Sequence, residues 1–166
     1  MKNLNHIFRI VPLTLIMVLM ATAVCFAEKP DISSDAQRFD FSTMRYVLDG
    51  HVKVKWSDRV ITADHAQVSI PSLEVWAQGN IELHQDDIYF RGDDLHVLGS
   101  SDTANITGNA RFERDELKIS ADKASFNWDT KLADFYDNVL LEDESDSTKY
   151  SHVQYNVVSK EFTTKE

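Results

Sequence analysis

The chain has 166 residues, enough for one domain, and carries 17 Lys and Arg against 27 Asp and Glu, a net charge of −10. So acidic a chain is a poor nucleic-acid binder, because phosphate contacts draw on Lys and Arg. Its one cysteine, Cys25, excludes an intramolecular disulfide framework.

Residues 1–27 are predicted to be a secretory signal. Lys2 and Arg9 give the positive start, and Ile10 to Val24 is a run of 15 mostly apolar residues. Cys25-Phe26-Ala27 places small residues three and one before a cut ahead of Glu28. The run is short of the roughly 20 residues that a membrane span needs. Kept in place, the same segment would be an inner-membrane anchor. Val24 before Cys25 argues against a lipoprotein signal. The rest, 28–166, is expected to be one domain with 15 basic and 27 acidic residues, a net charge of −12. Exported without a disulfide, it must be stabilised by its core and its strand ladders.

From there the chain repeats every 29 residues. Gly50, Gly79 and Gly108 share one column, and Asp137 follows in it. Asp35, Asp64, Asp93 and Asp122 form a second, followed by Ser151; Phe39, Val68, Val97, Phe126 and Tyr155 form a third. A period of this size marks stacked units, each leaving an apolar face that its neighbour covers. Asp31 to Ser34 reads as a loose leader. After the Gly column comes alternation: Val52 and Val54, Ile81 and Leu83, Ala110 and Phe112, Val139 and Leu141. Such a period of two predicts strands with one buried face. Charged turns follow at Ser57-Asp58-Arg59, Gln85-Asp86-Asp87 and Arg114-Asp115-Glu116. The next strand brings Ile61, Phe90 and Ile119 to one column, then the Asp column. Beyond it alternation resumes, as in Ala66, Val68 and Ile70, up to turns near Pro71-Ser72, Ser100-Ser101-Asp102 and Asp129-Thr130-Lys131. Each unit thus reads as three to four short strands with no helix. The fourth copy is degenerate, with Glu142-Asp143-Glu144-Ser145-Asp146 where a tight turn is expected, and Thr163 to Glu166 reads as a frayed tail.

The Gly column is expected to supply the positive φ of a tight turn. The Asp column is expected to cap turns through nearby backbone amides rather than to bind calcium, since Ser151 would be a poor calcium ligand. His51, His65, His84, His96 and His152 show no metal-ligand spacing, and no set of nucleophile, base and orienter points to an enzyme. No cofactor or metal is expected. The apolar columns carry two readings: a filled core between two sheets, or a long apolar trough between splayed ones. Bulky Phe90, Phe112, Phe126, Trp128, Phe135 and Tyr155 and small Ala66, Gly99, Ala104, Ala110 and Ala124 suit both.

Ile61-Thr62-Ala63-Asp64-His65-Ala66, then Val75-Trp76-Ala77-Gln78-Gly79-Asn80-Ile81, resembles the OstA-like N-terminal domain family, and Ile119-Ser120-Ala121-Asp122-Lys123-Ala124 repeats the first half. That family holds the periplasmic lipopolysaccharide-transport bridge LptA, its membrane-anchored partner LptC and the periplasmic part of LptD. The resemblance implies an all-β, open V-shaped antiparallel β-jellyroll whose apolar interior carries the acyl chains of lipid A, with no catalysis. It implies a periplasmic protein whose partners are lipopolysaccharide and other LptC-like and LptD-like domains, joined edge strand to edge strand, or further copies head to tail. Val52, Val54, Ile61, Ile81, Leu83, Phe90, Phe112, Ile119, Phe126 and Leu141 are the expected interior or groove positions. Periodicity alone fits a parallel β-solenoid equally well. A structural or adaptor repeat protein that binds no lipid is the alternative, as is an LptC-like anchored partner if the N-terminal segment stays.

Overall fold

The computed structural model describes residues 30–143 and 146–165. The expected signal and its cut site lie outside the described residues, as do Glu144 and Ser145 of the degenerate turn. Eleven strands form one antiparallel sheet: β1 (Asp31–Ser33), β2 (Ala36–Asp40), β3 (Arg45–Trp56), β4 (Arg59–Ser69), β5 (Glu74–Gln85), β6 (Ile88–Leu98), β7 (Thr103–Arg114), β8 (Leu117–Asn127), β9 (Leu132–Asp143), β10 (Asp146–Asn156) and β11 (Phe162–Lys165). From β3 to β11 each strand pairs with the next in sequence, and β1 and β2 lie end to end along β3. The sheet does not close on itself, and the described residues contain no helix. The antiparallel meander replaces the parallel solenoid that the period also allowed. The leader and tail are corrected too: Ile32 pairs with Val54, and Thr164 pairs with Val153.

One repeat is a 12-residue strand, a two-residue turn, an 11-residue strand and a four-residue turn, as in β5, 86–87, β6 and 99–102. Each unit therefore holds two long strands, not three or four short ones. What reads in sequence as a break is a bulge inside a continuous strand. Gln78 pairs with Asp94 and Ile81 with Gly92, so Gly79 and Asn80 together face Asp93 alone. Gly79 and Asn80 have φ of 75° and 46°, both left-handed. Two residues against one, opened by a left-handed glycine, is a bulge that bends the strand and sharpens its twist. The same slip occurs at Gly50-His51 and Gly108-Asn109, and Asp137-Asn138 repeats it with φ of 63° and 52°. The Gly column has the expected positive φ, but it sits mid-strand and not in a tight turn.

Aligned across the sheet, these bulges make a crease. On even-numbered strands the buried positions change phase there: Ile61 and Ala63 precede it, Ala66 and Val68 follow it. A one-residue slip of a period-2 pattern moves the buried side chains to the other face. Here the bend turns that face back inward, and the sheet folds into two leaves. The first leaf ends in the two-residue turns 57–58, 86–87 and 115–116. The second ends in the four-residue turns 41–44, 70–73, 99–102 and 128–131. Beside the bulges run Ala63, Gly92 and Ala121, a column of small residues, and a Cβ on Gly92 would lie 2.4 Å from Ile106.

Candidate functional site

Among the described residues, the interior between the leaves is the one extended apolar region. Its 31 buried hydrophobic residues run from Leu48 to Val157, and the described residues add a single buried polar side chain, Ser69. All ten expected groove positions lie in it. Val52, Val54, Ile81, Leu83, Phe90, Phe112 and Ile119 are at most 2% exposed, Phe126 is 3%, and Ile61 and Leu141 are 6%.

The leaves are packed together, not splayed. Phe90 and Phe112 of the first leaf meet Phe126, Phe135 and Tyr155 of the second. Phe90 lies 5.5 Å from Phe126 and 6.3 Å from Phe135, centroid to centroid. Phe112 lies 5.7 Å from Phe135 and 5.5 Å from Tyr155. Apolar faces so placed collapse on each other because that removes their surface from water. A further cleft of about 950 Å³ is lined by Asp122, Asp137, Asn138, Val139, Thr148, Lys149, Tyr150 and Ser151, of which Val139 alone belongs to the buried set.

Along the free rims, opposite the crease, side chains join the two leaves. Arg59 donates from a terminal guanidinium nitrogen to Asp102 at 3.3 Å and lies over the Trp128 ring at 4.1 Å. Trp128 donates its indole N–H to Gln85 Oε1 at 2.7 Å, and Gln85 donates its amide to Asp58 at 2.5 Å. Arg114 donates to Asp87 at 2.8 Å within its own leaf and to the Val157 carbonyl across the mouth. Lys160 donates to Asp115 at 2.9 Å, and this bond holds the Asp115 carboxyl below its ordinary pKa. In the sequence Arg59, Gln85 and Arg114 belong to the charge-rich turns, and Trp128 to the bulky residues that suit a core or a trough alike. The signal for their role is a separation of 43 residues, one and a half repeats, shared by Arg59 and Asp102, Gln85 and Trp128, and Arg114 and Val157.

The crease carries its own clasp, which corrects the expected role of the Asp column. Asp64, Asp93 and Asp122 do not cap turns; each accepts a side-chain hydrogen bond at 2.7 Å from Asn80, Asn109 or Asn138, 16 residues on. At the first bulge His51 takes the asparagine's place, with Nδ1 2.6 Å from Asp35. That hydrogen bond, with the charge of Asp35, raises the His51 pKa above its ordinary 6.5. Of the other histidines, His65 lies 2.8 Å from Asp49 and His152 2.9 Å from Asp134, as exposed or half-buried pairs on strand faces. On the outer face of the first leaf, Arg91 bridges Glu82 and Glu113 at 3.0 and 2.9 Å. Among the described residues no three His, Cys, Asp or Glu converge as a metal site.

Among the described residues the interior is apolar and offers no convergent polar set for bond chemistry. Comparison with solved structures agrees in fold. The chain is similar to LptH of Pseudomonas aeruginosa, described as "the LptA homologous periplasmic component of the conserved lipopolysaccharide transport device". The TM-score is 0.56 at 12% identity, covering 60% of this chain and 76% of that one. Comparison with curated proteins gives no match. The family described as "LptA/(LptD N-terminal domain) LPS transport protein" matches residues 60–161, more than half of the chain. This chain belongs to that family of lipopolysaccharide-transport proteins.

Proposed function

We propose that the chain is a periplasmic carrier module that holds the acyl tails of lipopolysaccharide between its two leaves and helps bridge the inner and outer membranes. The observation that carries this is an interior spanning eight long strands with Ser69 as the one buried polar side chain among the described residues. Exposing an acyl chain to water costs roughly 0.8 kcal/mol per CH₂, so a lipid crossing an aqueous compartment needs such a lining. Residues 1–27 act as the export signal and 28–166 as the carrier domain. Kept in place, the same segment would make an LptC-like anchored partner. The acidic character suits a carrier that leaves phosphorylated head groups in solvent and holds only tails. Among the described residues, the free edges, β1 with β2 at one end and β11 with the 146–150 half of β10 at the other, have no strand beside them. Strand addition there would join the chain to LptC-like and LptD-like domains or to copies of itself.

The packed interior favours one rival, a structural adaptor with a permanently dry core. Photo-crosslinking separates the two. A photoreactive residue at position 90 or 112 is expected to capture lipopolysaccharide, and one at Glu82, on the outer face, to capture none. Capture at 82 alone, or at none of the three, leaves the adaptor.

A further inference from the structure

Three of the bulges along the crease are clasped alike: Asp64, Asp93 and Asp122 each hold an asparagine amide at 2.7 Å. The bulge nearest the N-terminal edge departs from this pattern. His51 stands where Asn80, Asn109 and Asn138 stand, and its Nδ1 lies 2.6 Å from Asp35. The backbone is the same, with φ of 46° at His51 and at Asn80, so the bulge itself does not call for histidine. What histidine adds is a charge that changes near neutral pH, which an asparagine amide lacks.

The place matters because of what Asp35 belongs to. It lies in the break between β1 and β2, which run end to end along β3 as the N-terminal edge of the sheet. Ser33 pairs with Lys53 and Ala36 with Asp49, so Ser34 and Asp35 span the bulge between two short ladders. Asp35 is tied to β3 by its own N–H, which donates to the Gly50 carbonyl at 2.8 Å, and by its carboxylate on His51.

We propose that His51 and Asp35 make the N-terminal edge pH-sensitive: in mild acid the clasp holds β1 and β2 in line against β3, ready for a partner strand, and towards alkaline pH it lets them fray. The inference rests on the strand addition proposed above and names what regulates it at this end. Two carboxylates face His51: Asp35 from the β1–β2 break, and Asp64 from β4, opposite Gly50 and His51 in the ladder. The next histidine on β4, His65, is bonded to Asp49 of β3 at 2.8 Å, and Lys53 lies two residues on along β3. The hydrogen bond to Asp35, the charge of Asp35 and then that of Asp64 raise the His51 pKa above 6.5. The contribution of the clasp is accordingly complete below pH 6.5 and lost as pH rises through the folded value. The pair is exposed, and exposed ion pairs are weak. At an edge of three- and five-residue strands a weak contact still decides, because such edges open at little cost. An edge already in line also leaves a partner less to order on binding.

The test gives the first bulge the residue of the other three. His51→Asn keeps a side-chain donor for Asp35 and removes the titration. In the full chain, amide exchange of residues 31–40 is followed from about pH 5.5 to about pH 8, across the histidine range, and corrected for intrinsic rates. Protection in the parent is expected to fall about two- to fivefold over that range, the scale of an exposed pair. In His51→Asn, and in Asp35→Asn, it should stay level. Capture of a second copy by a photoreactive residue at position 37, on β2, should fall with protection in the parent and stay level in His51→Asn. Protection that falls equally in parent and variants, or in none of them, overturns the clasp and leaves strand addition intact. Protection that falls in the parent while capture holds or rises overturns the control of joining. No capture at any pH, with protection as expected, removes strand addition between copies at this edge, and its regulation with it.

Discussion

At the scale of single residues, the bulge column is the most constrained part of the chain. Gly79 has a φ of 75°, and a Cβ there would lie 2.6 Å from Asp64 Oδ2. Left-handed backbone costs a side-chain-bearing residue about 1–2 kcal/mol, before any displacement of the aspartate that clasps Asn80. Gly79→Ala is therefore expected to lower unfolding stability by at least that amount in urea titration; an unchanged midpoint would contradict the clasp. Asp137 shows how the column tolerates a non-glycine: its carboxylate turns to Lys123 at 3.0 Å. His51 carries a pH-dependent form of the same clasp. Its folded pKa is raised, so its pairing with Asp35 is fully present below pH 6.5 and fades as pH rises through the folded value. An NMR titration should place the His51 midpoint above 6.5, and Asp35→Asn should bring it back; a midpoint that ignores the substitution would refute the pairing.

At the scale of elements, a strand here is a bent object with two buried halves. β7 carries Ala104 and Ile106 into one leaf and Ala110 and Phe112 into the other. Phe112 is fully buried and touches both leaves. Phe112→Ala should cost about 3–5 kcal/mol by cavity formation. Phe41→Ala, at a turn residue 82% exposed, should stay within about 0.5 kcal/mol. Comparable losses from both would mean the leaves do not meet at Phe112. The alternation on each half was legible in sequence, because a half-buried strand writes its faces in period two. The join was not. Glycine followed by a polar residue reads equally as a hairpin turn and as a mid-strand bulge, and only the pairing partners on both sides decide.

For the whole molecule, the leaves form a wedge: small side chains at the crease, aromatic rings across the middle, and hydrogen-bonded side chains at the rim. Its two ends are the least supported. β1 and β11 have three and four residues, while β4 to β9 have ladders on both sides. Amide hydrogen exchange should accordingly be slowest in β6, β7 and β8 and fastest in β1 and β11. Slow exchange in β1 matching that of β7 would argue against an edge free to accept a partner strand. The same gradient leaves the middle of the wedge, where Phe90 and Phe112 sit, as its firmest part.

The amino-acid order alone determined the 29-residue unit, the all-β character, the charged turns and the ten interior positions. Each follows from local rules: a periodic apolar face, turn chemistry and the helix-free pattern. Antiparallel order, the crease and the clasps between leaves were decided only by tertiary structure. Those features join residues 16 or 43 positions apart, and no local pattern ranks one distant partner above another. Mixed large and small side chains could equally fill a core or line a trough; the folded leaves sort them, because only a bent sheet places Ala63, Gly92 and Ala121 beside its bulges and the phenylalanines across its width.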